Sequence, residues 1–305
     1  MKKGIFYAVT AYFLWGFLVV YFKWLHAVPS MQIIGHRIAW SFLFLMAIVI
    51  IRGELKDFWK SLNRKTLGIF IISAVLLTVN WSTYVWAITA DYVVEASLGY
   101  FINPLVSVVL GVVFMRERLR PWQWVPVGLA ALGVAYLTIS YGRLPWISLV
   151  LAFTFGVYGL IKKTAPLNSL HGNALETLIM FLPAVGYLIF EQTQGVGAYI
   201  NAGWMITLLL SLAGFVTAIP LLCFAEAARR IPLSTMGILQ YLSPTMQFLL
   251  GVLVYQEAFD TSRWIGFGII WLGLIIFTVE SWLASRNASQ LAVGSTDLSG
   301  QPPLS

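Results

Sequence analysis

Long apolar runs alternate with short polar segments along most of the chain. Each run approaches the length of about 20 residues with which a helix crosses the hydrocarbon core of a bilayer. Ten runs fit this description, at 4–22, 33–51, 67–88, 93–114, 122–140, 145–161, 173–190, 204–224, 233–254 and 264–284. The pattern therefore predicts an all-α integral membrane protein with ten transmembrane helices.

The pattern repeats itself after 140 positions. Residues 94–117, VEASLGYFINPLVSVVLGVVFMRE, and residues 234–257, STMGILQYLSPTMQFLLGVLVYQE, both hold a proline near the middle and end on a glutamate. Pro104 thus corresponds to Pro244, and further matches at the same offset occur before and after these stretches. One fixed offset without a gap indicates an internal duplication.

The duplication divides the chain into two halves of five predicted helices each. The first repeat covers 1–140, the second covers 141–285, and a polar, disordered cytoplasmic tail covers 286–305. Because five is odd, the second repeat enters the membrane from the opposite face to the first. We therefore expect inverted-topology repeats related by a pseudo-two-fold axis in the membrane plane, an architecture that suits a transporter.

Basic residues are concentrated in every second polar segment. If the N-terminus is cytoplasmic, fifteen of the 19 Lys and Arg residues lie in inner segments and three lie in outer ones, with Arg37 inside a span. Positive charge in short loops marks the cytoplasmic side, so both termini are predicted to be cytoplasmic. Glu117, at the end of the first repeated stretch, lies between two inner arginines, which we expect to neutralise it.

The composition of the 305 residues narrows the class of protein. They are 59% hydrophobic and 10% charged, whereas soluble domains carry about 25% charged residues. The net charge of +7 reflects the loops and does not indicate a nucleic-acid partner. One cysteine and three scattered histidines predict neither a disulfide framework nor a metal site. The sequence lacks the motifs of common enzymes and nucleotide-binding loops, so we expect no enzyme activity and no cofactor.

The polar segment 52–66 carries a helical pattern of its own. Leu55, Phe58, Trp59 and Leu62 recur at the spacing of one helix face, with basic residues between them. This pattern is typical of a short helix that lies in the membrane interface. A solvated basic loop is the alternative interpretation.

The two matching prolines are the first candidates for a functional site. A proline inside a helix removes one backbone hydrogen bond and displaces the carbonyl four residues before it. At Pro104 and Pro244 these carbonyls belong to Tyr100 and Gln240. Matching interruptions in two halves favour a central substrate cavity, although a packing kink without ligand contact is the alternative. The predicted substrate-binding residues are Trp15, Arg37, Tyr84, Tyr100, Asn103, Pro104, Gln240, Tyr241, Ser243 and Pro244.

Arg37 lies more than one helical turn inside an apolar run. A permanently charged side chain at this position is expected to face an interior cavity or to extend towards the interface. In a cavity it could bind a carboxylate or phosphate of a substrate. It could equally form an ion pair with Glu95 or Glu176.

Three ionisable residues are candidates for proton coupling. Glu95 shares one helix face with Asn103, although it could also be a solvated cap at the helix N-terminus. His36 precedes Arg37, and a lone histidine is more often structural than proton-transferring. Glu176 occupies the position of His36 in the second half.

Several aromatic residues lie inside the predicted spans. These residues are Tyr12, Trp15, Trp81, Tyr84, Trp86, Tyr100, Tyr158 and Tyr241. A cavity lined by them would suit amphipathic or cationic organic solutes, because tyrosine and tryptophan combine an apolar ring with a polar atom. Ordinary packing between helices is the alternative for each residue.

Three short segments resemble a known family. GHRIAWS at 35–41, NWSTYVWA at 80–87 and EASLGYFINP at 95–104, together with the duplicated ten-helix plan, resemble the RarD group of the EamA family in the drug/metabolite transporter superfamily. The resemblance covers residues 1–285. It implies a multi-pass permease of the bacterial inner membrane, often an exporter of metabolites or amino acids, and a link to chloramphenicol sensitivity. No ligand residues transfer from the family.

These observations predict a secondary transporter that carries small organic solutes, such as metabolites, amino acids or drugs, by alternating access. Its expected partners are the lipid bilayer and the solute, and a homo-oligomer is possible. An intramembrane enzyme acting on lipid head groups is one alternative, but it requires a cluster of acid, base and nucleophile. A non-transporting membrane partner subunit is the other alternative.

Overall fold

A computed structural model describes residues 2–89, 92–141, 146–254, 264–266, 268–269, 271–273 and 275–280. The helices are α1 Lys2–Trp24, α2 Ser30–Ile51, α3 Leu55–Lys60, α4 Arg64–Thr89, α5 Val93–Phe114, α6 Trp124–Tyr141, α7 Trp146–Thr164, α8 Ser169–Thr193, α9 Ala198–Asn201, α10 Trp204–Arg230, α11 Leu233–Gln240 and α12 Leu242–Leu249. A π-helical turn, Leu250–Val254, follows α12, and the described residues from 264 onwards are also helical. The described residues include no β-strand.

Six helices of the described chain are long and apolar enough to cross a membrane, namely α1, α2, α7, α8, α10 and, as far as Ala87, α4. The apolar helices Leu98–Phe114 and Trp264–Glu280 are shorter. Large apolar side chains lie on the outside, with Ile51 84% and Leu182 76% exposed. An apolar surface of this kind is stable in contact with lipid, whereas soluble proteins rarely expose large apolar patches to water. The all-helical membrane fold is thus confirmed, while the number of ten helices and the cytoplasmic termini stay predictions.

The described residues form two compact units. One draws on Met1–Glu117 and Arg143–Ala258, and the other on Arg118–Gly142 and Phe259–Ser305. Each unit therefore combines a segment from the first half of the sequence with a segment from the second half. Under the offset of 140 positions, the two segments of each unit correspond to one another. The division into two sequence repeats and a disordered tail stays a prediction.

In the second unit, the described residues include an ion pair between its two segments. Arg120 Nε lies 3.1 Å from Glu280 Oε1. The backbones also approach closely, because a Cβ atom added to Gly273 would lie 3.2 Å from the carbonyl oxygen of Pro126. The small residue and the ion pair together hold α6 against the C-terminal helical residues.

In the first unit, α5 packs against α7 and α11. A Cβ atom on Gly237 would lie only 2.5 Å from the carbonyl oxygen of Pro104, so the two backbones approach as closely as a glycine allows. Tyr241 donates a hydrogen bond of 3.0 Å to the carbonyl oxygen of Phe101, and these residues are 140 positions apart. Contact between equivalent positions of two repeats is expected beside a two-fold axis.

The predicted ninth span, 233–254, is not one continuous helix. It divides at Tyr241 into α11 and α12, next to Gln240, whose carbonyl Pro244 is expected to displace. Pro244 is the third residue of α12, where a missing N–H costs little because the first turn has no intrahelical acceptor. Pro104, by contrast, lies inside the continuous helix α5, as predicted.

Glu117 is not neutralised by its neighbouring arginines, and this expectation is wrong. Its carboxylate accepts hydrogen bonds from the backbone N–H groups of Leu233 at 2.6 Å and Ser234 at 2.9 Å, and from the Ser234 hydroxyl at 2.7 Å. Lys163 Nζ lies 3.7 Å away. A carboxylate is favoured there because the first N–H groups of α11 have no partner within the helix. Glu117 therefore ties the end of α5 to the start of α11.

The short helix expected within 52–66 is present as α3. Its Phe58 is fully buried and packs edge-on against His171 of α8, with ring centroids 5.7 Å apart. Glu54, just before α3, lies 3.0 Å from Nε2 of the same histidine. These contacts attach α3 to the helical bundle. Its position in a membrane interface stays a prediction.

Candidate functional site

A cavity of about 100 Å³ lies within the first unit. Residues from both halves of the sequence line it. Its aromatic residues are Tyr12, Trp15, Phe22, Trp81, Tyr84, Tyr100 and Phe155. Its polar residues include Arg37, Asn80, Asn103, Gln240, Ser243 and Gln247. A largely aromatic wall with a few converging polar groups is typical of a site for a small organic molecule.

The helices present these residues through their periodicity. Tyr100 and Asn103 lie three residues apart on α5, and Trp81 and Tyr84 have the same spacing on α4, so each pair shares a helix face. The rings of Tyr84 and Tyr100 then meet edge-on across the two helices, with centroids 5.6 Å apart. The break at Tyr241 places Ser243 and Gln240 on two separate short helices beside the same cavity.

Eight of the ten predicted substrate-binding residues line the cavity. They are Trp15, Arg37, Tyr84, Tyr100, Asn103, Gln240, Ser243 and Pro244. The other two, Pro104 and Tyr241, are not among the lining residues. Pro104 packs against Gly237 of α11, and Tyr241, which follows α11, is bound to Phe101 of α5. Whether the eight bind a substrate stays a prediction.

Arg37 is buried, with 8% of its surface exposed. Its Nε donates a hydrogen bond of 2.9 Å to Oγ1 of Thr217. Its guanidinium carbon lies 4.4 Å from the ring centre of Trp81 and 5.5 Å from that of Phe22. Among the described residues no carboxylate lies within ion-pair distance of Arg37. The side chain therefore faces an interior cavity, which was one of the alternatives predicted for it.

Two buried polar atoms beside the cavity have no hydrogen-bond partner among the described residues. They are the Tyr12 hydroxyl and Oδ1 of Asn103. Both residues line the cavity, and both side chains are more than nine-tenths buried. Buried polar atoms are nearly always paired in folded proteins, so an unpaired atom at a cavity indicates a place for a ligand or water.

Two of the three proton-coupling candidates, His36 and Glu176, have described side chains, and neither lines the cavity. His36 is not a lining residue, and its ring stacks on Tyr199 with centroids 4.9 Å apart. Glu176 lies in a separate buried network, described next. The side chain of Glu95 lies outside the described residues. A proton-coupling role for any of the three stays a prediction.

Glu176 and Lys162 form a buried ion pair away from the cavity. Lys162 Nζ lies 2.7 Å from Glu176 Oε2, and the side chains are 3% and 1% exposed. Ser73 donates a hydrogen bond of 2.5 Å to the same carboxylate, and Lys162 donates another of 2.6 Å to Asn173. The alternative prediction that Glu176 pairs with Arg37 is therefore wrong. The network ties α4, α7 and α8 together.

Asn80 and Gln247 are lining residues that sequence reasoning did not select. Asn80 was detectable, because an amide deep in an apolar run is expensive in lipid and usually faces the interior. Its Nδ2 donates hydrogen bonds of 2.9 Å to the Leu151 carbonyl and to Oγ1 of Thr154. Gln247 lies one turn after Pro244 on the same face of α12. No three His, Cys, Asp or Glu side chains of the described chain could together hold a metal ion.

Comparison with known proteins places the chain in a family. The EamA-like transporter family matches it twice, over residues 2–139 and 144–279. Protein RarD of Streptomyces exfoliatus is 44% identical over 94% of this chain and 90% of its own length. YojE, an uncharacterized transporter of Bacillus subtilis (strain 168), is 43% identical over 91% of this chain and 94% of its own.

A solved crystal structure shares the fold. It aligns with a TM-score of 0.66 over 90% of this chain and 97% of the other, although only 19% of the residues are identical. At this low sequence identity the structural similarity indicates a shared fold only. The extent of the family match and of the sequence identity settles the family. The chain belongs to the EamA-like transporter family and is a multi-pass membrane protein.

Proposed function

We propose that the chain is a secondary transporter that carries small organic solutes across the bacterial inner membrane by alternating access. The cavity of the first unit is its solute site. One observation carries this proposal. Residues from both halves of the chain line a single cavity, and among them are a buried arginine and two polar atoms without a partner in the described structure. Carrier sites of inverted-repeat transporters are built between repeats in this way.

The proposed membrane architecture has ten transmembrane helices in two inverted repeats, with both termini in the cytoplasm. The hydrogen bond between the equivalent positions Tyr241 and Phe101 supports a pseudo-two-fold axis between α5 and α11. Two similar halves of opposite orientation provide two nearly equivalent conformations, each open to one side of the membrane. Export of metabolites or amino acids, and a link to chloramphenicol sensitivity, are part of the proposal by family resemblance. A homo-oligomer stays a prediction.

In this proposal the contact between Glu117 and α11 keeps the carrier closed on one side of the membrane. It joins the end of α5 to the start of α11, and Lys163 stands beside it. Opening on this side requires the carboxylate to leave the N-terminus of α11. The corresponding glutamate of the second half, Glu257, lies outside the described residues.

The other function classes make different demands on the site. An intramembrane enzyme requires an acid, a base and a nucleophile within reach of one another. In the described part of the cavity wall, Arg37 is the only charged residue, and arginine does not lose its proton. A partner subunit without transport does not explain why a cation without a carboxylate partner among the described residues lines an interior cavity. The cavity therefore favours a carrier.

Flux in proteoliposomes tests the proposal. Purified protein is reconstituted and screened with pooled amino acids, cationic drugs and chloramphenicol, with and without a pH gradient. We expect saturable flux of at least one pool, and we expect Asn103→Ala to reduce it. Asn201→Ala is the matched control, because Asn201 is exposed and lies outside the cavity. Equal flux with both variants would contradict the assigned site, and lipid turnover without flux would favour the enzyme.

A further inference from the structure

We infer that the solute carries an oxyanion, such as a carboxylate, that binds the guanidinium of Arg37, and a hydrogen-bond donor that approaches Asn103. This inference rests on the proposed function of the cavity and names the class of solute that the cavity takes. It follows from three features of the site. Two nitrogens of Arg37 have no acceptor among the described residues, two aromatic rings lie beside its guanidinium, and Asn103 and Tyr12 each have a buried polar atom without a described partner.

Arg37 retains donors for a ligand. Its hydrogen bond to Thr217 uses Nε, and neither Nη1 nor Nη2 donates to any residue in the described part of the chain. Arg37 is one of the residues that line the cavity. A buried positive charge is costly unless an opposite charge compensates it. Two neighbouring guanidinium N–H groups fit the two oxygens of a carboxylate or phosphate.

The aromatic wall does not favour a cationic solute at this place. Aromatic faces attract cations, and sequence reasoning therefore included cationic solutes. In the structure the guanidinium itself lies over the rings of Trp81 and Phe22, at 4.4 and 5.5 Å from their centres. A second cation beside it would meet like-charge repulsion in a poorly solvated site. The same rings instead help to hold the arginine for an anion.

The second recognition group is Asn103. Its Oδ1 is a buried acceptor without a partner in the described structure, and it lines the same cavity as Arg37. An acceptor of this kind is satisfied by an N–H or O–H group of the solute. The Tyr12 hydroxyl, also unpaired, can donate to the solute or accept from it. The site therefore fits a small organic anion with a hydroxyl, amide or amine group.

Binding to the purified protein tests the charge of the solute without requiring transport. The probes are two matched series, butyrate, butyramide and butylammonium, and phenylacetate, phenylacetamide and phenethylammonium. The melting temperature in detergent micelles is measured against the concentration of each probe, since a ligand that binds only the folded state raises it. We expect at least one carboxylate to raise the melting temperature more than its amide and its ammonium. A stronger effect of an amide or an ammonium, or no effect of any probe, contradicts the inference.

Variants of Arg37 assign the effect to this residue. We expect Arg37→Gln to weaken carboxylate binding by about 30-fold or more, because one partner of a desolvated charge pair is lost. Arg37→Lys keeps the charge and should retain part of the binding. Arg52→Gln is the matched control, since Arg52 follows the same helix but is exposed and bound to Glu54. Unchanged carboxylate binding in Arg37→Gln overturns the assignment.

The flux assay separates this inference from the proposed function. Saturable flux of neutral or cationic solutes with no flux of carboxylates would leave the carrier in place and overturn the anion site. Stabilisation by carboxylates that depends on Arg37, in a protein without flux of any solute, would support the anion site and contradict the transport function.

Discussion

Two buried cations of this protein are compensated in different ways. Lys162 has a carboxylate partner in Glu176, and it donates a second hydrogen bond to Asn173. Arg37 has a hydroxyl partner and two aromatic faces, and no carboxylate in the described structure lies within ion-pair distance of it. The first arrangement satisfies the charge within the protein, so its role is structural. The second leaves the charge without a carboxylate partner in the described structure, which is why we propose a solute anion as its partner.

Removal of one partner from the Lys162–Glu176 pair should destabilise the protein strongly. Glu176→Leu leaves an uncompensated buried lysine and should lower the free energy of unfolding by about 3–5 kcal/mol. The double variant Lys162→Met with Glu176→Leu should recover most of this loss, since it removes both charges. Unfolding of the purified protein in detergent measures both. A double variant as unstable as the single one would contradict the structural role of the pair.

The contact between α5 and α11 depends on the absence of a side chain at Gly237. In the structure Pro104 presents its carbonyl oxygen directly to this glycine. Helices approach this closely in membrane proteins where small residues lie at the interface. The close approach also brings Tyr241 to Phe101 and so fixes the two repeated stretches against each other.

A methyl group at Gly237 should force the two helices apart. Gly237→Ala should destabilise the protein by about 1–3 kcal/mol, because the added atom would overlap backbone that cannot move aside easily. Gly186→Ala is the matched control, since nothing lies within 4 Å of a Cβ atom there. The control should be neutral or gain up to about 1 kcal/mol, as alanine favours a helix over glycine. Thermal unfolding of both variants checks this, and equal effects would contradict the close contact.

The Glu117 cap should contribute measurably to stability. Glu117→Ala leaves two N–H groups of α11 without their partner and should cost about 1–2 kcal/mol. Glu226→Ala is the comparison, because Glu226 forms an ion pair with the exposed Arg230 one turn away, and such a surface pair is worth less than about 1 kcal/mol. Denaturant titrations of the two variants measure the difference. A smaller loss for Glu117→Ala than for Glu226→Ala would contradict the cap.

Over the whole molecule, features that depend on local sequence pattern were predicted better than contacts between residues far apart in the sequence. Apolar runs of spanning length identified most helices, because helix formation in a membrane depends mainly on hydrophobicity over one segment. The duplicated prolines led to the cavity, since a repeated interruption is visible within the sequence. The partner of Glu117 lies 116 and 117 residues away, and sequence reasoning assigned it to adjacent arginines instead. The sequence predicted an interruption before Pro244 but not its form, two short helices that meet at Tyr241, because Pro244 fits both a kinked helix and a helix start.

Counterflow in proteoliposomes tests the central claim, a carrier whose solute site contains Arg37. Vesicles are loaded with an excess of the unlabelled solute that shows saturable flux, and are then diluted into a trace of the labelled form. An alternating-access carrier should exchange the two and accumulate label transiently above its equilibrium level. We expect this overshoot in the wild type and in Arg52→Gln, and we expect its loss in Arg37→Gln. Label that rises to equilibrium without an overshoot in the wild type, or an overshoot that Arg37→Gln leaves unchanged, would contradict the account.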